Sequence, residues 1–263
     1  VDLDGAITIN ESSGSVDFRV ESNGETHALF VDASADAVCI NTDTHDTGPL
    51  VVQTGNTHAT AMTVQSTGHT QIMLKDTDAS SNDKYWGLQV SGGDFNILTC
   101  DDDKASNFLT PISIDQAGHV TMPLQPYFRC IPASQQSNLS INTWNDIAFA
   151  TESVDRNADF ATATFTAPVT GVYMFTTSLY MQSIDTDFAS VEAAFHTSND
   201  IYQVFILEPG KTFSSDSSYY SATGAVICDM DASDTCILKV YPAGGAAQMD
   251  INVSSTFTGG LLY

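Results

Sequence analysis

Residues 164–175, which read T-F-T-A-P-V-T-G-V-Y-M-F, limit what this chain can fold into more than any other stretch. Thr164, Phe165 and Thr166 favour an extended strand, and Pro168, which has no backbone N–H to give a sheet ladder, closes it. Gly171 suits a tight reversal, after which Val172, Tyr173, Met174 and Phe175 open a second strand. The pattern predicts an antiparallel strand-turn-strand unit.

Short strands and turns also fill residues 1–123. Residues 6–9, 16–20, 28–31 and 37–40 read as strands of four or five residues. Asn23-Gly24, Gly48-Pro49, Gly55-Asn56, Gly68-His69, Gly92-Gly93 and Gly118-His119 separate the extended runs as turns. Strands this short, with few large apolar residues between them, bury little surface within one chain. The expectation is a fibrous homotrimer in which three copies share a narrow axis and complete one another's sheets. Residues 76–104, with Tyr85, Trp86 and Phe95, read as a small β insert within that shaft. Pro123 and Pro126 then stiffen a junction. It divides a shaft (1–123) from a head (124–263) whose first strand opens at about Tyr127.

Phe165, Thr166, Ala167, Pro168 and Val169, followed by Gly171, Tyr173 and Phe175, resemble the phrase F-T-A-P-V-x-G-x-Y-x-F of the complement C1q globular-head family. Residues 255–263, S-T-F-T-G-G-L-L-Y, are similar to that family's last strand. Residues 224–227 and 236–240 stand where it has a late hairpin, and residues 141–149 where it has an early strand. The resemblance implies a ten-stranded jelly roll of the tumour-necrosis-factor type that packs as a homotrimer. Departures are visible as well. Ala163 and Thr164 replace the usual glycine and basic residue, and no Gly-X-Y stalk precedes the head, so an animal function does not follow from the likeness. The segments around Phe18, Leu29, Trp86, Phe95 and Ile112 resemble repetitive shaft segments of bacteriophage tail fibres.

Charge narrows the partners. The 263 residues carry 32 acids against 8 Lys and Arg, a formal charge of −24. It is spread along the chain, with 18 acids and 4 bases up to Gln125 and 14 acids and 4 bases after it. Such a surface repels phosphate backbones and anionic membranes, so nucleic-acid binding is not expected. No run of 18 apolar residues exists, and no membrane insertion is expected. A chain that opens at Val1 without Met or leader reads as a processed or truncated piece. Cys39 and Cys100 read as buried apolar side chains. Cys228 and Cys236 flank one hairpin and read as free thiols rather than a bridge.

Calcium is the cofactor the carboxylates would suit, with Asp185, Asp187, Asp231 and Asp234 as ligands. Neither of these loops, nor residues 76–80, has the glycine and glutamate of an EF-hand, so all read as solvated acidic turns. His27, His45, His58, His69, His119 and His196 form no chelating pair and read as turn residues. No nucleophile elbow, zinc helix or phosphate loop occurs, and Glu152 with Asp155 is too weak a pairing to suggest a glycosidase. No enzyme is expected. The sequons at Asn10, Asn138 and Asn252 are what chance would give.

The reading is an all-β viral fibre protein, of bacteriophage type, on the virion surface. Its N-terminal end would meet other virion proteins. Its jelly-roll head would bind a host-surface receptor, protein or glycan, through Asp185, Asp187, Tyr219 and Tyr220. The alternatives are a structural spike or tail component whose head serves trimerisation and docking, and a secreted complement-type recognition protein.

Overall fold

The computed structural model describes residues 14–44, 49–53 and 62–263. The expected strand at residues 6–9, the Asn10 sequon, His45 and His58 lie outside them. The chain divides into two compact units, Val1–Gln71 and Ile72–Tyr263. Among the described residues, regular structure is β throughout except for one four-residue helix, α1 (Pro209–Thr212).

The first unit holds β1 (Phe18–Val20), β2 (Leu29–Asp32), β3 (Ala37–Ile40) and β4 (Leu50–Val52) in one sheet of that order. Its first two pairings are antiparallel, and β3 with β4 is parallel. The β2–β3 turn follows from Asp32, whose Oδ1 accepts the Ser34 N–H at 2.8 Å and the Ser34 hydroxyl at 2.6 Å. This is the side-chain-to-backbone habit that makes aspartate a turn former. Phe30, Ala37 and Cys39 form the buried cluster, with Val51 against it. Val38, Ile40 and Leu50 stay exposed.

A meander follows, β5 (Thr70–Lys75), β6 (Tyr85–Ser91), β7 (Asp94–Cys100), β8 (Leu109–Ile114) and β9 (Val120–Thr121), paired in chain order. Gly92 and Gly93, both at positive φ, make the two-residue β6–β7 hairpin that only glycine accommodates cheaply. The aromatic stretch at 76–104 is thus part of a longer sheet. Its strands find their hydrogen-bond partners within the chain.

The head is a sandwich. Its strands are β10 (Tyr127–Pro132), β11 (Asn145–Asp146), β12 (Phe149–Arg156), β13 (Phe160–Ala161), β14 (Thr164–Thr166) and β15 (Gly171–Ile184), then β16 (Phe188–Thr197), β17 (Ile201–Leu207), β18 (Ser217–Met230), β19 (Thr235–Gly244), β20 (Asp250–Ile251) and β21 (Thr256–Leu261). One sheet runs β12-β10-β21-β15-β18, with β20 added to β15. The other runs β13-β14-β19-β16-β17, with β11 added to β19. First and last strands lie side by side, and the chain crosses repeatedly between the sheets, as from β14 to β15, β15 to β16, β17 to β18 and β18 to β19, the wrapping of a jelly roll. Phe128, Phe149, Tyr173, Phe175 and Phe257 from the first sheet meet Phe160, Phe165 and Phe195 from the second. Phe128 alone stacks on Phe160 at 4.6 Å and Phe165 at 5.1 Å and meets Phe257 edge-on at 4.8 Å. Aromatic pairs in such geometries add to the area they bury.

The strand-turn-strand unit of residues 164–175 forms, as β14 and the start of β15. Pro168 lies outside both strands, and the Tyr173 hydroxyl ties the turn by donating to Val169 O at 2.7 Å. Gly171 is needed for a reason other than its expected turn. Its φ is ordinary, but a Cβ there would meet Leu261 Cδ1 at 2.6 Å and Tyr263 O at 2.9 Å. The early strand expected at residues 141–149 is mostly a loop. Asn142 takes a positive φ, and the Asn145 side chain exchanges hydrogen bonds with the Ser140 backbone, so local asparagine bonding replaces the ladder.

Candidate functional site

Strand register fixes the two ends of the sandwich. Tyr127, where the chain enters, lies opposite Gly260, and Gly260 opposite Met174. Gly171 lies opposite Met230, so entry, C-terminus and the 231–234 loop share one end. Strands β15 and β18 then run fourteen residues each, roughly 40 Å at the usual rise. At the far end residues 185–187, α1, residues 216–218 and residues 245–248 gather.

This divides the predicted site residues. Asp185 and Asp187 lie at the far end, Asp231 and Asp234 at the entry end. The four thus belong to two separate loops at opposite ends of the head. Asp185 is buried and already engaged, its Oδ1 accepting Asp187 N–H at 2.8 Å and its Oδ2 accepting Ala246 N–H at 2.9 Å. Gly245, at positive φ, stands so close that a Cβ would reach Phe188 and this carboxylate. Asp234 accepts from the Ser198 hydroxyl at 2.6 Å, the Asn199 amide at 2.5 Å and Asp231 N–H at 2.8 Å. The Ser198 hydroxyl bond, then those from Asp231 and Asn199, holds its carboxyl below the usual range. Both aspartates staple loops. Among the described residues, no three His, Cys, Asp or Glu side chains are grouped to hold a metal.

Tyr219 and Tyr220 also part. Tyr219 is 63% exposed, while Tyr220 turns inward against Phe213 at 5.5 Å and packs on the core. Adjacent residues of a strand face opposite ways, so only one of the pair can present itself to a ligand. Beside Tyr219 a cavity of about 360 Å³ opens, lined by Gln182, Ser183, Asp216, Ser217, Ser218 and Gln248. Ser183, at φ 54°, and Ser218 across from it stand between the paired residues Gln182–Tyr219 and Ile184–Ser217. A non-glycine residue at positive φ is a local strain of the kind that collects at binding sites. Asp216 Oδ1 accepts the Thr186 N–H at 2.9 Å and hydroxyl at 2.8 Å, and these two bonds keep it ionised below its ordinary range. The lining is hydroxyl, amide and one carboxylate, with no cation. Gln182, Asp216 and Gln248 come from three separate segments, and no spacing in the sequence joins them.

The outer face of the β12-β10-β21-β15-β18 sheet is different. Tyr127, Met174, Thr176, Thr258, Gly260 and Leu262 line a second, largely apolar cavity of about 300 Å³. Ile227 beyond it is 61% exposed. On the opposite sheet Trp144 meets His196 edge-on at 4.7 Å and Tyr241 at 5.4 Å, beside a Lys239–Asp146 ion pair of 2.9 Å. Burial, then the Lys239 charge, lowers the His196 pKa. This cluster has no motif to announce it.

The remaining candidates serve local structure. His119 Nδ1 lies 2.8 Å from Asp115, and His27 packs edge-on to Phe30 at 5.0 Å. Asp155 accepts the backbone N–H groups of Asp159 and Phe160. All five cysteines are buried thiols, Cys228 and Cys236 included. Burial pushes the Cys130 and Cys228 thiols up to about 12 and raises Cys236 well above its ordinary value, so these three are poor nucleophiles.

With that geometry in hand, residues 132–262 match the family model of the C1q domain. The globular domain of zebrafish complement 1qA is 17% identical, covering 53% of this chain and 98% of that one at a TM-score of 0.41. Murine APRIL at pH 5.0 is 12% identical over 52% and 99%, at 0.38. Eiger TNF from S. frugiperda is 13% identical over 53% and 92%, also at 0.38. No curated protein matches the chain.

Proposed function

We propose that the C1q domain is the binding head of a homotrimeric viral fibre of bacteriophage type, displayed on the virion, whose far end meets a host-surface receptor. The observation that carries this reading is the division of the head into two kinds of surface. A largely apolar cavity on the outer sheet face suits copies of the same chain, and a polar loop end opposite the chain entry suits an external ligand. Loops at the end of a rigid sandwich are where binding residues accumulate. Three heads held together would convert weak single contacts into useful avidity. The recognition chemistry is polar and aromatic contact with no covalent step, and the proposed contacts are Asp187, Asp216, Ser218, Tyr219 and Gln248.

The test is binding of the purified chain to a panel of host cells and displayed glycans, with a Tyr219→Ala, Gln248→Ala double variant as control. Binding lost in the double variant, with its assembly state unchanged, supports the reading. Tight copurification with a particle and no cell or glycan binding would favour a structural spike. Shortening of polysaccharide on incubation would overturn the non-enzymatic reading.

A further inference from the structure

The meander presents a second apolar face that no described residue covers. In β6, Trp86, Leu88 and Val90 alternate with buried neighbours and are 48%, 40% and 50% exposed. Register sets Leu88 opposite Ile97 and Ile97 opposite Ile112, and sets Val90 opposite Phe95 and Phe95 opposite Ile114. Directly opposed residues share a face, so two rows of three apolar side chains lie side by side. Trp86, Thr99 and Leu109 form a third row. No charged residue stands in these rows, on a chain of net charge −24. The opposite face carries Tyr85, Leu98 and Cys100, each buried.

We infer that this face packs against the same face of two other copies of the chain, closing a three-sided prism around the fibre axis. An exposed contiguous apolar patch on a charged protein marks an interaction surface. A patch without charge escapes the self-repulsion that a net charge of −24 imposes between copies, which fits another copy of this chain. The apolar exposure also continues along the sequence toward the head, through Val120, Met122, Leu124 and Tyr127. Tyr127 is already part of the apolar head face assigned above to self-association, on which reading this inference rests. The ladders of β5 to β9 pair in chain order within one copy and leave β5 and β9 as the edges, so the apolar face would meet other copies through side chains. This differs from the shared-sheet shaft that the strand lengths suggest.

Cross-linking in the full chain separates the two interfaces. Val90→Cys tests the prism and Ile227→Cys tests the head, each treated with a short bismaleimide at neutral pH. The five native thiols are buried and serve as the unmodified background. Both variants are expected to give covalent multimers at dilutions where the parent chain gives none. Cross-linking of Ile227→Cys without Val90→Cys overturns the prism and leaves the head trimer standing. Failure of both overturns both. A Leu88→Asp variant should keep the Ile227→Cys cross-link and lose the Val90→Cys one; retention of both overturns the inference.

Discussion

The first unit and the head are made from the same alternation of strand and turn, yet among the described residues the first has a three-residue buried cluster and the head a continuous interior. Phe30, Ala37 and Cys39 are the buried apolar cluster of residues 14–53. The head packs nine buried aromatic rings between two sheets. Strand length explains much of this. Strands β1 to β4 have three or four residues, whereas β15 and β18 have fourteen each. A short strand offers one or two inward side chains, too few to offset the conformational entropy of ordering it. The lesson is that, among the described residues, the larger share of the buried apolar packing lies in the head.

The comparison breaks most visibly on core truncation. Phe257→Ala should cost the head about 3–5 kcal/mol in urea unfolding, since the ring touches Phe128, Phe149, Phe160, Phe175 and Phe195. Phe30→Ala should leave that head transition unchanged. Equal effects would mean that the units are not energetically separate.

A glycine tests the same packing from the other side. A Cβ at Gly259 would run into Phe175 and Phe128, while at Gly68 it would meet nothing within 4 Å. Gly259→Ala should destabilise the head by about 1–3 kcal/mol, and Gly68→Ala should not alter its unfolding midpoint.

Asp185→Ala should cost about 1–2 kcal/mol through the lost backbone bonds. Amide exchange should rise at Asp187 and Ala246, with the entry end unaffected. The smallest expected effect is at Asp159. Its pKa is raised by burial first and by the Asp155 charge second, and its Oδ2 is buried without a partner. An acid whose folded pKa lies above its unfolded value binds more protons when folded, so stability falls as pH rises from the unfolded pKa through the folded one. Asp159→Asn should therefore raise the melting temperature by a few degrees at neutral pH and have no effect in acid. A gain that persists in acid would assign the effect to packing.

Much of the head was legible because its strands are long and its punctuation is chemical. Pro168 ends β14 where a ladder donor is missing, and the alternation Tyr173, Phe175 carries through to Leu179 and Met181. The role of Gly171 was not legible, since the atoms that exclude a side chain there belong to Leu261 and Tyr263. Nor was the parting of Tyr219 from Tyr220, which depends on the register of β18 against β15. The far-end cavity joins residues from three distant segments, and local spacing holds no trace of it. The parallel pairing of β3 with β4 brings Val38 to Leu50 around an intervening loop that turn residues alone do not specify.

Sedimentation velocity over a dilution series tests the central claim most directly. The account predicts an elongated species of three times the 28.1 kDa chain, with the N-terminal sheets becoming protease-sensitive under conditions that separate the copies. A compact 28.1 kDa monomer whose N-terminal sheets resist protease would contradict it.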